Sequence, residues 1–151
     1  MSYSHFQQTK FWAEFKAAHN WKPLYFSASE NGLELEEASS NAGKFLLSDK
    51  DSQNKLTVMV RNFSFLRKKF SLAYIPMAPE NDFAFANKLD SSKPLSEQTA
   101  QYVDIYSEIV QKIRQFLPKD TLCVRFDSPV EFLSLEEKDA FEKSIESSAA
   151  S

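Results

Sequence analysis

The sequence predicts an α/β domain in which a mixed sheet is flanked by helices. Apolar residues recur at helical spacing in three separate segments, and two neighbouring segments rich in β-branched and aromatic residues predict a hairpin. A nearly continuous apolar run between two of the helical segments has the composition of a further strand. The predicted order is therefore helix, strand, hairpin, long helix, strand, helix.

The first helix is predicted over residues 9–19. Thr9 can cap its N-terminus, and Phe11 and Phe15 share one side of it. The aromatic and apolar segment 24–27 then predicts a strand.

Residues 28–54 are rich in Ser, Asn, Glu, Asp and Lys, which predicts a long loop with a short strand at 44–48. Such a long connection is uncommon within a compact domain. It is therefore either a hairpin with weak strands of its own or a surface insertion.

Segments 56–65 and 70–77 predict a β-hairpin whose tip, residues 66–69, carries Arg67, Lys68 and Lys69. The tip is interpreted as a solvated turn that could also touch the phosphates of a nucleic acid. Residues 78–95 contain two prolines and several Asn, Asp and Ser, and predict a loop with a helical turn at 82–88.

A long helix is predicted from the cap Ser96 to Pro118, which ends it. The strand 121–127 is predicted to be buried on both faces. The last helix begins with a capping box formed by Ser134 and Glu137. We therefore divide the chain into a domain over 1–133 and a helical tail with a frayed end over 134–151.

Composition limits the possible functions. The chain has 151 residues with 18 basic and 21 acidic side chains, and its net charge of -3 argues against a DNA-binding protein. Cys123 and the two histidines are too few for a zinc site, so no metal is expected. No cofactor is expected either. Only two glycines are present, and no phosphate-binding glycine loop can be recognised. No segment is apolar enough to span a membrane or to serve as a secretory signal, which favours a cytoplasmic protein.

Three blocks of the sequence resemble the N-terminal half of the Fem family, the aminoacyltransferases that build peptidoglycan bridges. QQTKFWAEFKAAHNW at 7–21 is similar to the family's opening helix, with its Trp-Ala-x-x-Lys core. FSLAYIPMAPENDF at 70–83 resembles a strand that continues through Ala-Tyr to a Gly-Pro and an acidic residue. DTLCVRFDSPVEF at 120–132 is similar to the strand that carries Arg-Phe-Asp-Pro.

The resemblance implies one subdomain with an acetyltransferase-like fold. It also implies an enzyme that transfers an amino acid from aminoacyl-tRNA to the stem peptide of a peptidoglycan precursor. The acceptor would be UDP-MurNAc-pentapeptide or its lipid-linked form. An aminoacyl ester is already activated, so positioning, proton removal and stabilisation of the oxyanion are sufficient for the transfer.

Site residues follow from the resemblance, each with a simpler alternative. Lys16 resembles the lysine that meets the diphosphate of the precursor, or it is a solvated surface lysine. Tyr74 resembles the tyrosine near the sugar and peptide, or it is a half-buried strand tyrosine. Asp82 has the spacing of the family's suggested proton acceptor, or it caps a turn.

Further residues belong to the structural signature of the family. Trp12 lies in the helix core motif, and Arg125 and Asp127 are expected to form an ion pair at a strand end.

Cys123 is expected to be a packed thiol rather than a nucleophile. His19 is expected near the C-terminus of the first helix, where a protonated imidazole complements the helix dipole.

Two departures from the family pattern affect these expectations. Ala78 replaces the glycine before Pro79, and Met77 replaces a basic residue, which would narrow the site. The tRNA-facing second subdomain has no counterpart in this sequence, so the chain would need a partner half or would dimerise. The alternative is a binding or interaction domain without catalysis. An acyl-CoA acetyltransferase ranks last because the glycine-containing phosphate loop is missing.

Overall fold

The computed structural model describes residues 6–29, 32–35, 55–77, 92–128 and 130–149. The chain forms α1 (Lys10–Ala17), β1 (Lys22–Ser29), β2 (Gly32–Leu35), β3 (Lys55–Phe65), β4 (Lys68–Ile75), α2 (Thr99–Ile113), β5 (Thr121–Phe126) and α3 (Leu135–Ala149). Short 3-10 helices span Phe6–Gln8, Leu95–Glu97 and Arg114–Phe116. The predicted order of elements is confirmed, with β2 as an addition.

The five strands form one mixed sheet in the order β2-β1-β3-β4-β5. β1 to β4 pair antiparallel, whereas β5 pairs parallel to β4 after the chain has passed through α2. The predicted α/β class and the mixed sheet are confirmed.

The hydrophobic core lies between α2 and one face of the sheet. Alternate strand residues such as Phe26, Val58 and Ile75 point to this face because successive side chains in a strand alternate between faces. Ile105 and Ile109 of α2 are fully buried against them.

The opposite face of the sheet is covered in part by α1 and the 3-10 helix before it. Ala13 of α1 is fully buried. The side-chain oxygen of Gln8 accepts a 2.7 Å hydrogen bond from the backbone N–H of Thr57, and its amide donates to the carbonyl of Pro76. The backbone carbonyl of Gln8 accepts a 2.9 Å bond from the Thr57 hydroxyl. Gln8 therefore fixes the N-terminal segment to β3 and to the end of β4.

Helix α3 packs on α2 through aromatic contacts. Phe141 is buried, and its ring lies 5.7 Å from that of Tyr102 and 5.3 Å from that of Phe132. The predicted capping box is present with one difference. The Ser134 hydroxyl accepts a 3.1 Å bond from the N–H of Glu137, whereas the Glu137 carboxylate reaches the N–H of Leu133.

The prediction that strand 121–127 is buried on both faces is wrong. β5 is one of the two edge strands of the sheet in the described part of the chain. Leu122 is 72% exposed, and the Cys123 thiol is also exposed rather than packed. An apolar run does not reveal whether a strand lies at the centre or at the edge of a sheet.

Other boundaries also differ from the sequence predictions. α2 begins at Thr99 after a 3-10 helix, and its N-cap Gln98 makes no side-chain capping bond, so the cap predicted at Ser96 is wrong. β2 lies in the stretch predicted as a loop or a weak hairpin, and its antiparallel pairing with β1 agrees with the hairpin alternative. The strand predicted at 44–48 and the helical turn predicted at 82–88 lie outside the described residues.

Candidate functional site

The C-terminal end of α1 positions Trp21 beside Lys16. Asn20 adopts a φ of 68°, and the N–H of Trp21 donates a 3.2 Å bond back to the carbonyl of Lys16. This is the hydrogen bond of a helix ended by a left-handed residue, for which Asn is well suited. His19 lies in the same turn, with its Nδ1 2.8 Å from the carbonyl of Phe15, so it is at the helix C-terminus as predicted.

The ammonium group of Lys16 lies close to two indole rings. Its Nζ is 5.0 Å from the ring centroid of Trp12 and 5.7 Å from that of Trp21. Cation–π attraction at these distances holds the charge without using its N–H donors. Within the described ranges no carboxylate lies within salt-bridge distance of Lys16, so its donors face no competing anion there.

Arg61 of β3 brings a second cation to Trp21. Its guanidinium carbon lies 5.6 Å from the Trp21 ring and 5.3 Å from the Phe63 ring. Arg61 is not among the site residues predicted from the sequence. The sequence feature that could have indicated Arg61 is a charged residue that alternates with Met59 and Phe63 in a strand of apolar and aromatic residues.

Tyr74 of β4 lies on the same face of the sheet and also contacts Trp21. The two ring centroids are 6.1 Å apart. The register places Tyr74 between Met59 of β3 and Arg125 of β5. The Arg125 guanidinium carbon lies 5.7 Å from the Tyr74 ring, which adds a third cation to the group.

Asp127 is the acidic residue of this group. Its Oδ2 accepts a 2.5 Å hydrogen bond from the Tyr74 hydroxyl, and its Oδ1 lies 3.1 Å from the Arg125 guanidinium. The predicted ion pair is therefore present; the Asp127 side chain is half-buried, and that of Arg125 is 67% exposed. Burial, together with the hydrogen bond to Asp127, raises the pKa of Tyr74 to about 12.

We call this group the tryptophan cluster. Its members lie on α1, on the turn after it, on three strands and directly after β5: Trp12, Lys16, Trp21, Arg61, Tyr74, Arg125 and Asp127. Three cations and one carboxylate give it a net positive charge, and the phenol of Tyr74 stays protonated at neutral pH. The cluster can therefore bind an anionic ligand, with aromatic faces available for its uncharged parts.

The structure brings together most of the site residues predicted from the sequence. Lys16 and Tyr74, which are far apart in the chain, both contact Trp21. The indole N–H of Trp12 is buried and has no hydrogen-bond acceptor among the described residues. Asp82 lies outside the described residues, and so does Ala78. No group of three residues able to hold a metal occurs in the part of the chain that the structure describes.

The backbone is unusual where β4 ends near the cluster. Met77 has a φ of 45°, a left-handed conformation that costs free energy for residues with a β-carbon. It follows the buried Pro76, whose carbonyl accepts from Gln8. Non-glycine residues held in this conformation are concentrated at functional sites.

An aromatic stripe on the outer side of α1 adjoins the cluster. It consists of Phe6, Phe11 and Phe15, of which Phe11 is 68% exposed. The rings of Phe6 and Phe15 both lie 5.5 Å from the Trp12 ring. Large apolar side chains that are exposed together are characteristic of interaction surfaces.

No family model, curated protein or solved structure matches this chain. In the described ranges, no helix combines the length and the apolar character needed to cross a bilayer.

Proposed function

We propose that this chain is the acceptor-binding part of a cytoplasmic aminoacyltransferase that uses a peptidoglycan precursor. We assign it an acetyltransferase-like fold. The observation that carries the proposal is the convergence of Lys16 and Tyr74 on Trp21. These two residues come from separate blocks that resemble the Fem family. Their proximity supports a shared site in which one provides a cation and the other a hydroxyl.

The chemistry of the cluster fits a nucleotide-linked acceptor. A diphosphate carries negative charge that Lys16 and Arg61, both next to the Trp21 ring, can bind. The exposed guanidinium of Arg125 offers further donors in a planar arrangement. Apolar sugar faces and peptide side chains can pack on the indole and phenol rings.

The cluster supports binding more strongly than catalysis. The hydroxyl of Tyr74, with its pKa raised to about 12, keeps its proton at neutral pH and donates a hydrogen bond to Asp127, so it is not a base. Asp127 already accepts hydrogen bonds from Tyr74 and Arg125. The proton acceptor that resemblance suggests, Asp82, lies outside the described residues. Aminoacyl-tRNA would then meet the bound acceptor through a second subdomain or a partner half.

The aromatic stripe on α1 favours a second candidate, a binding or interaction domain without catalysis. The exposed rings of Phe6, Phe11 and Phe15 offer an apolar surface to another protein or to a second copy of this chain. The strained Met77 beside the cluster is compatible with either function. Self-association that Phe11→Ser weakens, in a chain that does not bind UDP-MurNAc-pentapeptide, would favour the interaction domain, and light scattering at increasing protein concentration measures it.

Calorimetric titration with UDP-MurNAc-pentapeptide tests the main proposal. Micromolar binding, about -8 kcal/mol, is expected, with a loss of about tenfold or more in Lys16→Ala and in Arg61→Ala. Lys119→Ala is the matched control, because this exposed lysine lies outside the cluster. Absence of heat at millimolar ligand, or equal losses in all three variants, would remove the cluster from the proposed acceptor site.

A further inference from the structure

The β3–β4 hairpin extends beyond the helices that cover the rest of the sheet. We call residues 61–70 the hairpin arm. All residues from 62 to 69 are exposed, whereas residues 56–60 of the same strand are buried. At about 3.3 Å per residue, the four residues 62–65 of β3 extend about 13 Å beyond Arg61.

The apex of the arm is apolar and strained. Phe65 is 68% exposed and Leu66 is 81% exposed. Leu66 and Arg67 form the two-residue turn, with φ values of 47° and 66°. Such turns favour Asn and Gly because both central residues are left-handed. An exposed leucine at this position therefore stabilises neither the turn nor the core, and strain of this kind suggests a functional role.

Positive charge surrounds the apex. Leu66 is followed directly in the chain by Arg67, Lys68 and Lys69. Arg61 lies at the base of the arm. Residues 55–77 contain five of the chain's 18 basic residues and none of its 21 acidic ones. The arm is therefore a local basic region on a chain whose net charge is -3.

We propose that the hairpin arm docks on an anionic membrane surface. Phe65 and Leu66 enter the boundary between headgroups and acyl chains, and Arg67, Lys68 and Lys69 bind the lipid phosphates. The apex is convex, so it suits a soft surface that it can enter without a complementary cavity. This inference does not depend on the proposed acceptor site, because its test uses Leu66, Lys68 and Lys69, none of which belongs to the tryptophan cluster.

The contacts of the arm favour a membrane over single-stranded nucleic acid. Binding of bases needs free aromatic faces. Phe63 and Phe70 stack on each other with centroids 5.4 Å apart, and the Arg61 guanidinium lies over Phe63. Phe65 offers one exposed ring, but its neighbour Leu66 has none, so successive bases could not stack along the apex.

Sedimentation with lipid vesicles tests the proposal on the intact chain. Vesicles of phosphatidylcholine and phosphatidylglycerol at about three to one should pellet the protein, and pure phosphatidylcholine should pellet much less. Binding should weaken as salt is added, because exposed charges are screened.

Two variants separate the apex from the charges. Leu66→Asn should reduce vesicle binding several-fold while it preserves or raises thermal stability, because Asn accepts the left-handed conformation. Lys68→Gln with Lys69→Gln should reduce binding about 25-fold, at roughly a factor of five for each charge. The matched controls are Leu133→Asn, at a leucine 95% exposed, and Lys93→Gln with Lys119→Gln.

Three outcomes would overturn the proposal. The first is no preference for anionic vesicles. The second is equal loss of binding in the arm variants and in the controls. The third is tight binding of single-stranded RNA that depends on Lys68 and Lys69 in a protein that does not bind vesicles.

Discussion

The hydroxyl of Tyr74 donates a 2.5 Å hydrogen bond to the carboxylate of Asp127, and this bond joins β4 to the residue that follows β5. The other carboxylate oxygen accepts from the Nε and Nη2 groups of Arg125 at 3.2 and 3.1 Å. One carboxylate therefore orients both the phenol and the guanidinium of the tryptophan cluster. The phenolic proton is retained because burial disfavours the charged phenolate, which would also lose this bond and face the charge of Asp127.

Alkaline titration should show the retained proton of Tyr74. Its pKa is raised from 10 to about 12, so the folded state binds this proton more tightly than the unfolded chain. The contribution to stability is full below pH 10 and is lost as the pH rises through about 12. When the titration is followed by phenolate absorbance, Tyr74→Phe should show one fewer late-ionising tyrosine than the unchanged protein.

Tyr106, whose pKa burial also raises to about 12, gives a second late group that should persist in this variant. Asp127→Asn should lower the pKa of Tyr74 without returning it fully to 10, because burial is the larger cause of the shift. An unchanged titration in Tyr74→Phe would contradict the assignment.

Gln8→Ala should destabilise the fold. The substitution leaves the backbone N–H of the buried Thr57 and the carbonyl of Pro76 without their side-chain partner. An unsatisfied buried group costs about 1–3 kcal/mol. Urea denaturation measures the loss, and Gln115→Ala, at an exposed glutamine, should change stability by less than about 0.5 kcal/mol. Equal effects of the two substitutions would mean that Gln8 does not attach the N-terminal segment.

Phe141→Ala should test whether α3 belongs to the same folding unit as the sheet. The buried ring contacts Tyr102 and Phe132, and truncation of a buried phenylalanine costs about 3–5 kcal/mol. A single unfolding transition with a lowered midpoint is expected. Leu135→Ala is the control on the same helix because Leu135 is 78% exposed. An unchanged midpoint in Phe141→Ala would instead mean that α3 folds as a separate tail.

The Cys123 thiol should react in the native protein. It lies exposed on edge strand β5, so a small thiol reagent should modify it without prior unfolding. The measurement is the rate of modification with and without denaturant. A rate that rises by orders of magnitude on unfolding would indicate a covered thiol, as the sequence analysis expected.

Local sequence signals predicted most of the secondary structure. Thr9 caps α1 by accepting a 3.3 Å bond from the N–H of Trp12, and the last helix begins at its predicted capping residue. These signals are short in range and act through hydrogen bonds within one turn. The hairpin was predicted from two runs of β-forming residues, although its turn is tighter than expected because Lys68 and Lys69 already belong to β4.

The remaining features depend on contacts between distant segments. The exposure of Cys123 follows from the position of β5 at the sheet edge, which composition does not specify. Arg61 joins the cluster because β3 places it beside Trp21, at a separation of 40 residues that no local pattern reports. Lys16 and Tyr74 were predicted as site residues from the resemblance to the Fem family. Only the fold shows that both contact the same indole.

The parallel pairing of β5 with β4 has a kinetic consequence. The β3–β4 hairpin closes through two residues, whereas the β4–β5 register joins Tyr74 to Arg125, 51 positions along the chain. Closure of a long loop has a larger entropic cost, so we expect β5 to dock after the hairpin and α2 have formed. Pulsed hydrogen exchange during refolding should protect β3 amides before those of β5. The phenol of Tyr74 then meets its carboxylate only in the last stage of folding, so a partly folded chain presents the hairpin arm before it can bind an anion at the cluster.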